Sequence, residues 1–297
     1  MATSARDIRT SGSTVTLRTR VVDIASYREL LANLVRKDLK VRYKNSVLGF
    51  LWSLVNPAVT IVVFSIIFGV VLPNSIPDFA LFLMSGVLIF NMFQNGTSAA
   101  VGSVVSNAPL VKKVWFPREV LPLASVGSTF VDFLLQSSVL VAAFAILRWH
   151  VGWVYMPLVP VAIAVALLFT MAMAIWLAAV NVKFRDVQHF LSIALMVWFW
   201  GTPIIYGYEQ IAHRLARYGL SWLPLLNPMT IVVLTFQRAF YNRTVVHTGT
   251  TTTALLPAHG FMWYLGMLVL IGSVSLVLLL AAMRQFHRSE GDFAEEL

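Results

Sequence analysis

Cysteine is absent from the 297 residues, which excludes a disulfide framework, a thiolate metal site and a cysteine nucleophile. Charge is scarce as well. Only 12% of residues are charged, against roughly 25% in an average soluble domain. A chain of this length has too few polar residues to cover a water-facing core, so an ordinary soluble enzyme is excluded. Disorder fails for the opposite reason, because 58% of residues are hydrophobic. No Gly-Lys pair occurs, hence no phosphate-binding loop of the G-x-x-x-x-G-K-[ST] type, and neither H-E-x-x-H nor G-x-S-x-G is found. The acids form no metal-holding cluster, and the six histidines, at 150, 189, 213, 247, 259 and 287, are scattered. What remains is an integral membrane protein with no catalytic chemistry nominated in its own chain.

What the sequence does have is long uncharged apolar runs, and a membrane span needs about 20 such residues. They predict an all-α polytopic membrane protein with six transmembrane helices: Phe50 to Leu72, Phe79 to Val101, Val120 to Leu147, about Pro157 to Val180, about Gln188 to Tyr206, and Phe261 to Met283. Basic residues near span ends stay on the cytoplasmic side. With both termini inside, the inner segments hold ten, three, two and two of the Lys and Arg residues, 17 of the 22. The net charge of +9 then reads as topology and attraction to the inner leaflet rather than as nucleic-acid binding. Residues 1–20 read as a disordered cytoplasmic tail without a secretory signal. An amphipathic interface helix is expected over 21–46, the transmembrane domain over 47–284 and a cytoplasmic tail over 285–297.

Within 21–46, Tyr27, Leu30, Leu31, Leu34, Val35 and Val41 recur near helical spacing among Arg28, Glu29, Arg36, Lys37, Lys40 and Lys44. Such a helix either lies in the inner interface or docks a cytoplasmic partner. The loop Ser106 to Glu119 mixes Leu110, Val111, Val114, Trp115 and Phe116 with its charges, bracketed by Pro109 and Pro117. It reads as a short helix for a groove on another protein or as an interfacial segment with a Trp anchor. Between spans five and six, the uncharged run Tyr218 to Gln237 is broken by Pro224 and Pro228. A pair of re-entrant outer helices fits it better than a seventh span. Asp132 falls inside span three, four residues before Gln136 on one helical face, and such an acid serves a pathway, a coupling contact or a structural hydrogen bond. Trp52, Trp198, Phe199 and Trp200 are core packing or flat faces for a sugar chain.

The run Arg36-Lys37-Asp38-Leu39-Lys40-Val41-Arg42-Tyr43-Lys44-Asn45-Ser46-Val47-Leu48-Gly49-Phe50-Leu51-Trp52-Ser53-Leu54-Val55-Asn56-Pro57 resembles the N-terminal signature of the permease subunits of ABC-type polysaccharide exporters. Lys112 and Lys113, Phe116-Pro117-Arg118-Glu119, Lys183-Phe184-Arg185-Asp186, Thr202-Pro203-Ile204-Ile205-Tyr206 and Leu226-Asn227-Pro228 are similar too, and the resemblance spans about 27–284. It implies a non-catalytic homodimeric permease in the cytoplasmic membrane of a bacterium, moving a polyprenyl-diphosphate-linked polysaccharide such as O-antigen, teichoic acid or a galactan. Two copies of a separate ATPase would bind the ATP and magnesium, and the chain itself would hold no cofactor and no metal. The resemblance implies ATPase coupling through Arg36, Asp38, Lys40, Arg42 and Tyr43, and through Leu110, Val111, Lys112, Lys113, Trp115, Phe116, Pro117, Arg118 and Glu119. It implies a substrate pathway along Trp52, Asn56, Asp132, Gln136, Trp198, Trp200 and Tyr206, and an outer gate at Pro224, Asn227 and Pro228. A membrane enzyme acting on lipid-linked sugars, or an exporter of a drug or simple lipid, is the alternative.

Overall fold

Inside a bilayer every backbone N–H and C=O needs a partner within the protein, so uncharged apolar runs fold as helices. The computed structural model describes residues 17–44, 46, 49–71, 76–248, 251–291 and 293–297. The chain is mostly helical. It opens with α1 (Leu17–Ser26) and α2 (Arg28–Tyr43), followed by α3 (Leu51–Ile66), which a wider turn prolongs through Ile67–Val71. Next come α4 (Phe79–Val101), two short helices α5 (Ser103–Ser106) and α6 (Ala108–Lys113), then α7 (Val120–Ile146) and α8 (Leu158–Lys183). The last third holds α9 (Val187–Trp200), α10 (Tyr208–Ala216), α11 (Pro228–Phe236), α12 (Phe261–Ser289) and α13 (Phe293–Glu296). A small antiparallel hairpin pairs β1 (Val245–Thr248) with β2 (Thr251–Ala254).

Five helices among the described residues are long and apolar enough to cross a membrane: α3 with its extension, α4, α7, α8 and α12. The expected fifth span, Gln188 to Tyr206, is helical only as far as Trp200, so α9 has 14 residues. Helix α4 is the axis of the bundle, packed by α3, α7, α8, α9 and α11 and burying Phe82, Phe90 and Phe93. Gly96 permits its close crossing with two neighbours. A Cβ there would sit 2.9 Å from Thr170 Cγ2 and 3.1 Å from Thr129 Oγ1, the small-residue device of helix contacts in membranes.

Chain direction can be followed by residue rise, 1.5 Å per helical residue. Trp198 lies eleven residues into α9, about 17 Å from its start. It packs at 5.3 Å from Phe93 and 5.8 Å from Phe169, both well inside their own helices. Its indole donates to Asn227 Oδ1 at 2.8 Å, which puts the start of α11 at the same depth. The irregular backbone after Gly201 is therefore deep, and polar side chains satisfy it. Asn227 donates to Thr202 Oγ1 at 2.8 Å and caps α11 by accepting from the Met229 amide at 3.0 Å. Gln237, fully buried, donates to the carbonyls of Pro203 and Ile204.

Two boundaries differ from expectation at the chain ends. Residues 1–16 of the expected tail lie outside the described residues, but α1 starts at Leu17 and Arg20 is buried. The reason is an ion pair: Arg20 reaches Glu290, beyond the end of α12. The expected tail 285–297 likewise folds back, with Phe293 buried edge-on against Phe286 at 5.2 Å. Helices α1 and α13 therefore share one end of the bundle with α2 and α6. At the opposite end Tyr241 donates to Pro77 O at 2.6 Å and Tyr155 to His259 O at 3.0 Å.

Candidate functional site

A cavity of about 620 Å³ opens between α3, α4 and α7, next to the end of α2. Trp52, Ser53 and Asn56 line it from the first turns of α3, positions that share one helical face. Helix α4 contributes Leu88, Asn91, Met92, Asn95, Ser98 and Ala99, and α7 contributes Thr129, Asp132, Phe133 and Gln136. Both repeats follow the three-and-four spacing that keeps side chains on one stripe. Asn91 is twelve residues from one end of α4 and Asp132 twelve from the start of α7, about 18 Å along each helix. The hydrocarbon core is about 30 Å thick, so this polar surface lies near mid-depth.

A charge at that depth requires compensation. Asp132 accepts from Arg42 Nη1, and the side chains are 10% and 42% exposed. Arg42, expected with the coupling residues, thus joins the cavity wall, because α2 runs along α7 with Val35 against Gly127. Trp52, Asn56, Asp132 and Gln136 come together here. Trp198 does not reach this cavity, being held in the aromatic core. Trp200 is exposed on the outside of α9, and Tyr206 donates to its carbonyl at 2.6 Å. Tyr206 instead lines a second hollow of about 260 Å³ with Tyr208, Pro224 and Asn227. Pro228 follows as the first residue of α11, where its missing N–H costs nothing.

The residues expected to couple to an ATPase divide in two. Val111 and Phe116 are buried with Leu34, Val120 and Leu121, Pro117 is buried too, and Leu110 is half-buried beside them. Lys112, Lys113, Val114 and Trp115 project, Trp115 being 77% exposed. On α2, Arg36 and Lys40 are exposed and Asp38 half-buried, while the side chain of Tyr43 lies outside the described residues. Lys37 donates to Asn107 Oδ1 at 3.0 Å and ties α2 to the base of α6. The result is a short basic-aromatic knob on a hydrophobic root.

Behind the knob, Arg20 Nε stands 3.2 Å from Glu119 Oε1, and Arg118 donates to the Glu290 backbone carbonyl. Glu290 also faces His287 Nδ1 at 3.4 Å, and the Arg118 guanidinium lies 5.8 Å from the Phe293 ring centre. Among the described residues neither carboxylate oxygen of Glu119 accepts an aligned hydrogen bond. Burial, with the Glu290 charge second and Arg20 opposing, pushes the Glu119 carboxyl up from 4.5 to about 7. The folded state therefore binds the extra proton between about pH 4.5 and 7, and stability falls as pH rises through that window. Thermal midpoints are expected to drop between about pH 4.5 and 7 and to level off above it, and Glu119→Gln to flatten that drop. An unchanged slope in the variant would assign the effect elsewhere.

The model of the ABC-2 type transporter family matches residues 29–241. The chain belongs to the ABC-2 type transporter family. It is 34% identical, over 93% of its length and 98% of the relative's, to the O-antigen export system permease protein RfbA of Myxococcus xanthus. An RfbA of Klebsiella pneumoniae is 32% identical over 72% of this chain and 81% of its own. The polysialic acid transport protein KpsM of Escherichia coli is 23% identical over 64% of this chain and 74% of its own. As an ABC-2 type transporter the chain is a multi-pass membrane protein, a transport component rather than an enzyme. The matched segment contains the cavity and the knob. Sequence reasoning missed Asn91, Asn95 and Ser98, whose signal was three polar residues at helical spacing inside an uncharged span. It also missed Gln237, the lone amide at the end of an apolar run.

Proposed function

We propose that the chain is the permease subunit of an ABC exporter for polysaccharide, driven by a separate ATPase. The observation that carries this is the 34% identity to an O-antigen permease across 98% of that protein. A polyprenyl-diphosphate-linked glycan is the substrate, and it passes the mid-depth polar wall at Trp52, Asn56, Asp132 and Gln136. The lack of a phosphate loop supports a partner that binds ATP and magnesium, docked at the Lys112 to Trp115 knob and the exposed side of α2. Phe116, Pro117, Arg118 and Glu119 root that knob.

Six crossings are the reading favoured by the Arg20–Glu290 contact, which keeps both described ends on one side and so requires an even number. With five long helices, α9 supplies the sixth. The uncharged run Tyr218 to Gln237, with the short turn Leu223–Leu226 and α11, then dips in and returns, with Asn227 and Gln237 satisfying the deep backbone, and Pro224, Asn227 and Pro228 form the outer gate. The basic end faces the cytoplasm by charge, which puts both described ends on the cytoplasmic side of the inner membrane. A homodimer is supported by α3, which buries only Ser53, Pro57 and Ile61, and by the apolar outside of α9 at Phe190, Ile193 and Val197. Gentle extraction of the tagged chain is expected to recover an ATPase subunit in equal amount. Recovery of the chain alone would count against this reading.

A further inference from the structure

The cavity wall carries more polar groups than a passage through a membrane requires. Among the described residues, none of the side-chain amides of Asn56, Asn91, Asn95 and Gln136 has a hydrogen-bond partner, although all four line the cavity. Amides at membrane depth are retained where they meet water or a ligand, since in lipid each unsatisfied group is costly. Their chemistry narrows the ligand. An amide offers a donor and an acceptor side by side, the complement of a hydroxyl that both donates and accepts. Thr129 and Ser98 add two hydroxyls, and the half-open Trp52 adds a flat apolar face at the mouth.

The charge pattern excludes an anion as the preferred occupant. Among the described residues Arg42 is the single cation on the wall, and its charge is already directed at Asp132. Phosphate sites call for forked cations or converging backbone N–H groups, and among the described residues the lining has no forked cation to spare. A diphosphate here would also face the Asp132 carboxylate. An acyl chain would leave four amides unpaired. The volume, about 620 Å³, is that of a small-molecule pocket.

We infer that this cavity is a saccharide-binding site, recognising uncharged sugar rings of the transported glycan through Asn56, Asn91, Asn95 and Gln136, with Trp52 against a ring face. The inference rests on the exporter reading and adds that the neutral sugar, not the diphosphate or the lipid, is what this wall selects.

The test uses the full chain, with its ATPase partner if that copurifies, in lipid nanodiscs. Neutral trisaccharides of glucose, mannose and galactose serve as probes, with inorganic diphosphate as the contrasting ligand. The signal is indole fluorescence, with Trp52→Phe as the blank. At least one trisaccharide is expected to give a saturable change that the blank lacks, and the Asn91→Leu/Asn95→Leu double variant to weaken it at least about tenfold. Asn91→Ser/Asn95→Ser, which keeps hydrogen-bonding groups, is expected to lose less. Saturable diphosphate binding without sugar binding, no saturable sugar signal, or equal sugar binding by a folded Leu variant would each overturn the site. Export in cells separates the two levels. If depleting the chain leaves export intact, the exporter reading fails. If depletion stops export but the Leu variant supports it at the wild-type rate, only the saccharide site fails.

Discussion

Replacing Trp115 by Ala is expected to leave the fold and its thermal midpoint unchanged while the ATPase partner binds about 30-fold more weakly and export falls with it. Trp115 is 77% exposed and contributes nothing to the buried cluster that roots its own loop. An exposed tryptophan just after Lys112 and Lys113 is the kind of anchor that dominates an interface, where truncation costs about 2 kcal/mol or more, and 1.4 kcal/mol is tenfold in affinity. Phe116→Ala provides the contrast. That ring is 2% exposed among Val111, Val120 and Leu121, so its loss removes core packing, costs about 3–5 kcal/mol, and lowers the thermal midpoint before partner binding is measured. Titrating the partner against each variant in nanodiscs, with thermal unfolding alongside, separates the two. Equal partner affinity for wild type and Trp115→Ala would remove the knob from the interface.

The second large effect belongs to the intramembrane ion pair. Removing one member of a buried pair typically costs 3–5 kcal/mol, and here about 3 kcal/mol is expected because Arg42 keeps 42% of its side chain accessible. The two single variants are not equivalent. Arg42→Leu takes the cation away from a carboxylate that is 10% exposed at mid-depth, whereas Asp132→Leu leaves a guanidinium that can swing toward the mouth. Arg42→Leu is therefore expected to be the more destabilising. The double variant Arg42→Leu/Asp132→Leu should be more stable than Arg42→Leu alone, since two apolar side chains leave no unbalanced charge. Thermal midpoints of the four proteins form the cycle, and additive effects would show that the pair is not energetically coupled.

The sequence made the helices legible because membrane spans are written locally, in runs without charge, and α4, α7 and α12 begin within a residue of the expected positions. The apolar residues of the inner loop stand out among its charges, but they read as a surface for a partner's groove or for the membrane interface, whereas Val111 and Phe116 pack into the chain's own core. Contacts between distant parts of the chain were not legible. Arg42 and Asp132 are 90 residues apart, and Arg20 and Glu290 are 270 apart, so no spacing rule connects them. For that reason a tail expected to be disordered through residue 20 contains a helix start, and a basic residue expected at a docking face lies on a cavity wall. Trp198 shows the same limit. An indole among aromatics suits a core or a sugar surface equally, and only its contacts with Phe93, Phe169 and Asn227 assign it to the core. The expected fifth span runs through Gly201 and Pro203 to Tyr206, and neither the break after α9 nor its satisfaction by Gln237, 33 and 34 residues away, follows from local spacing.

We propose that this chain carries a lipid-linked polysaccharide across the membrane under the drive of a separate ATPase. The most direct measurement follows that glycan in cells depleted of the chain, assaying its lipid-linked form on each side of the cytoplasmic membrane. Accumulation of full-length lipid-linked glycan on the inner side, with loss from the outside, is the predicted result. Continued appearance outside at the normal rate, or arrest of synthesis with no inner accumulation, would contradict it.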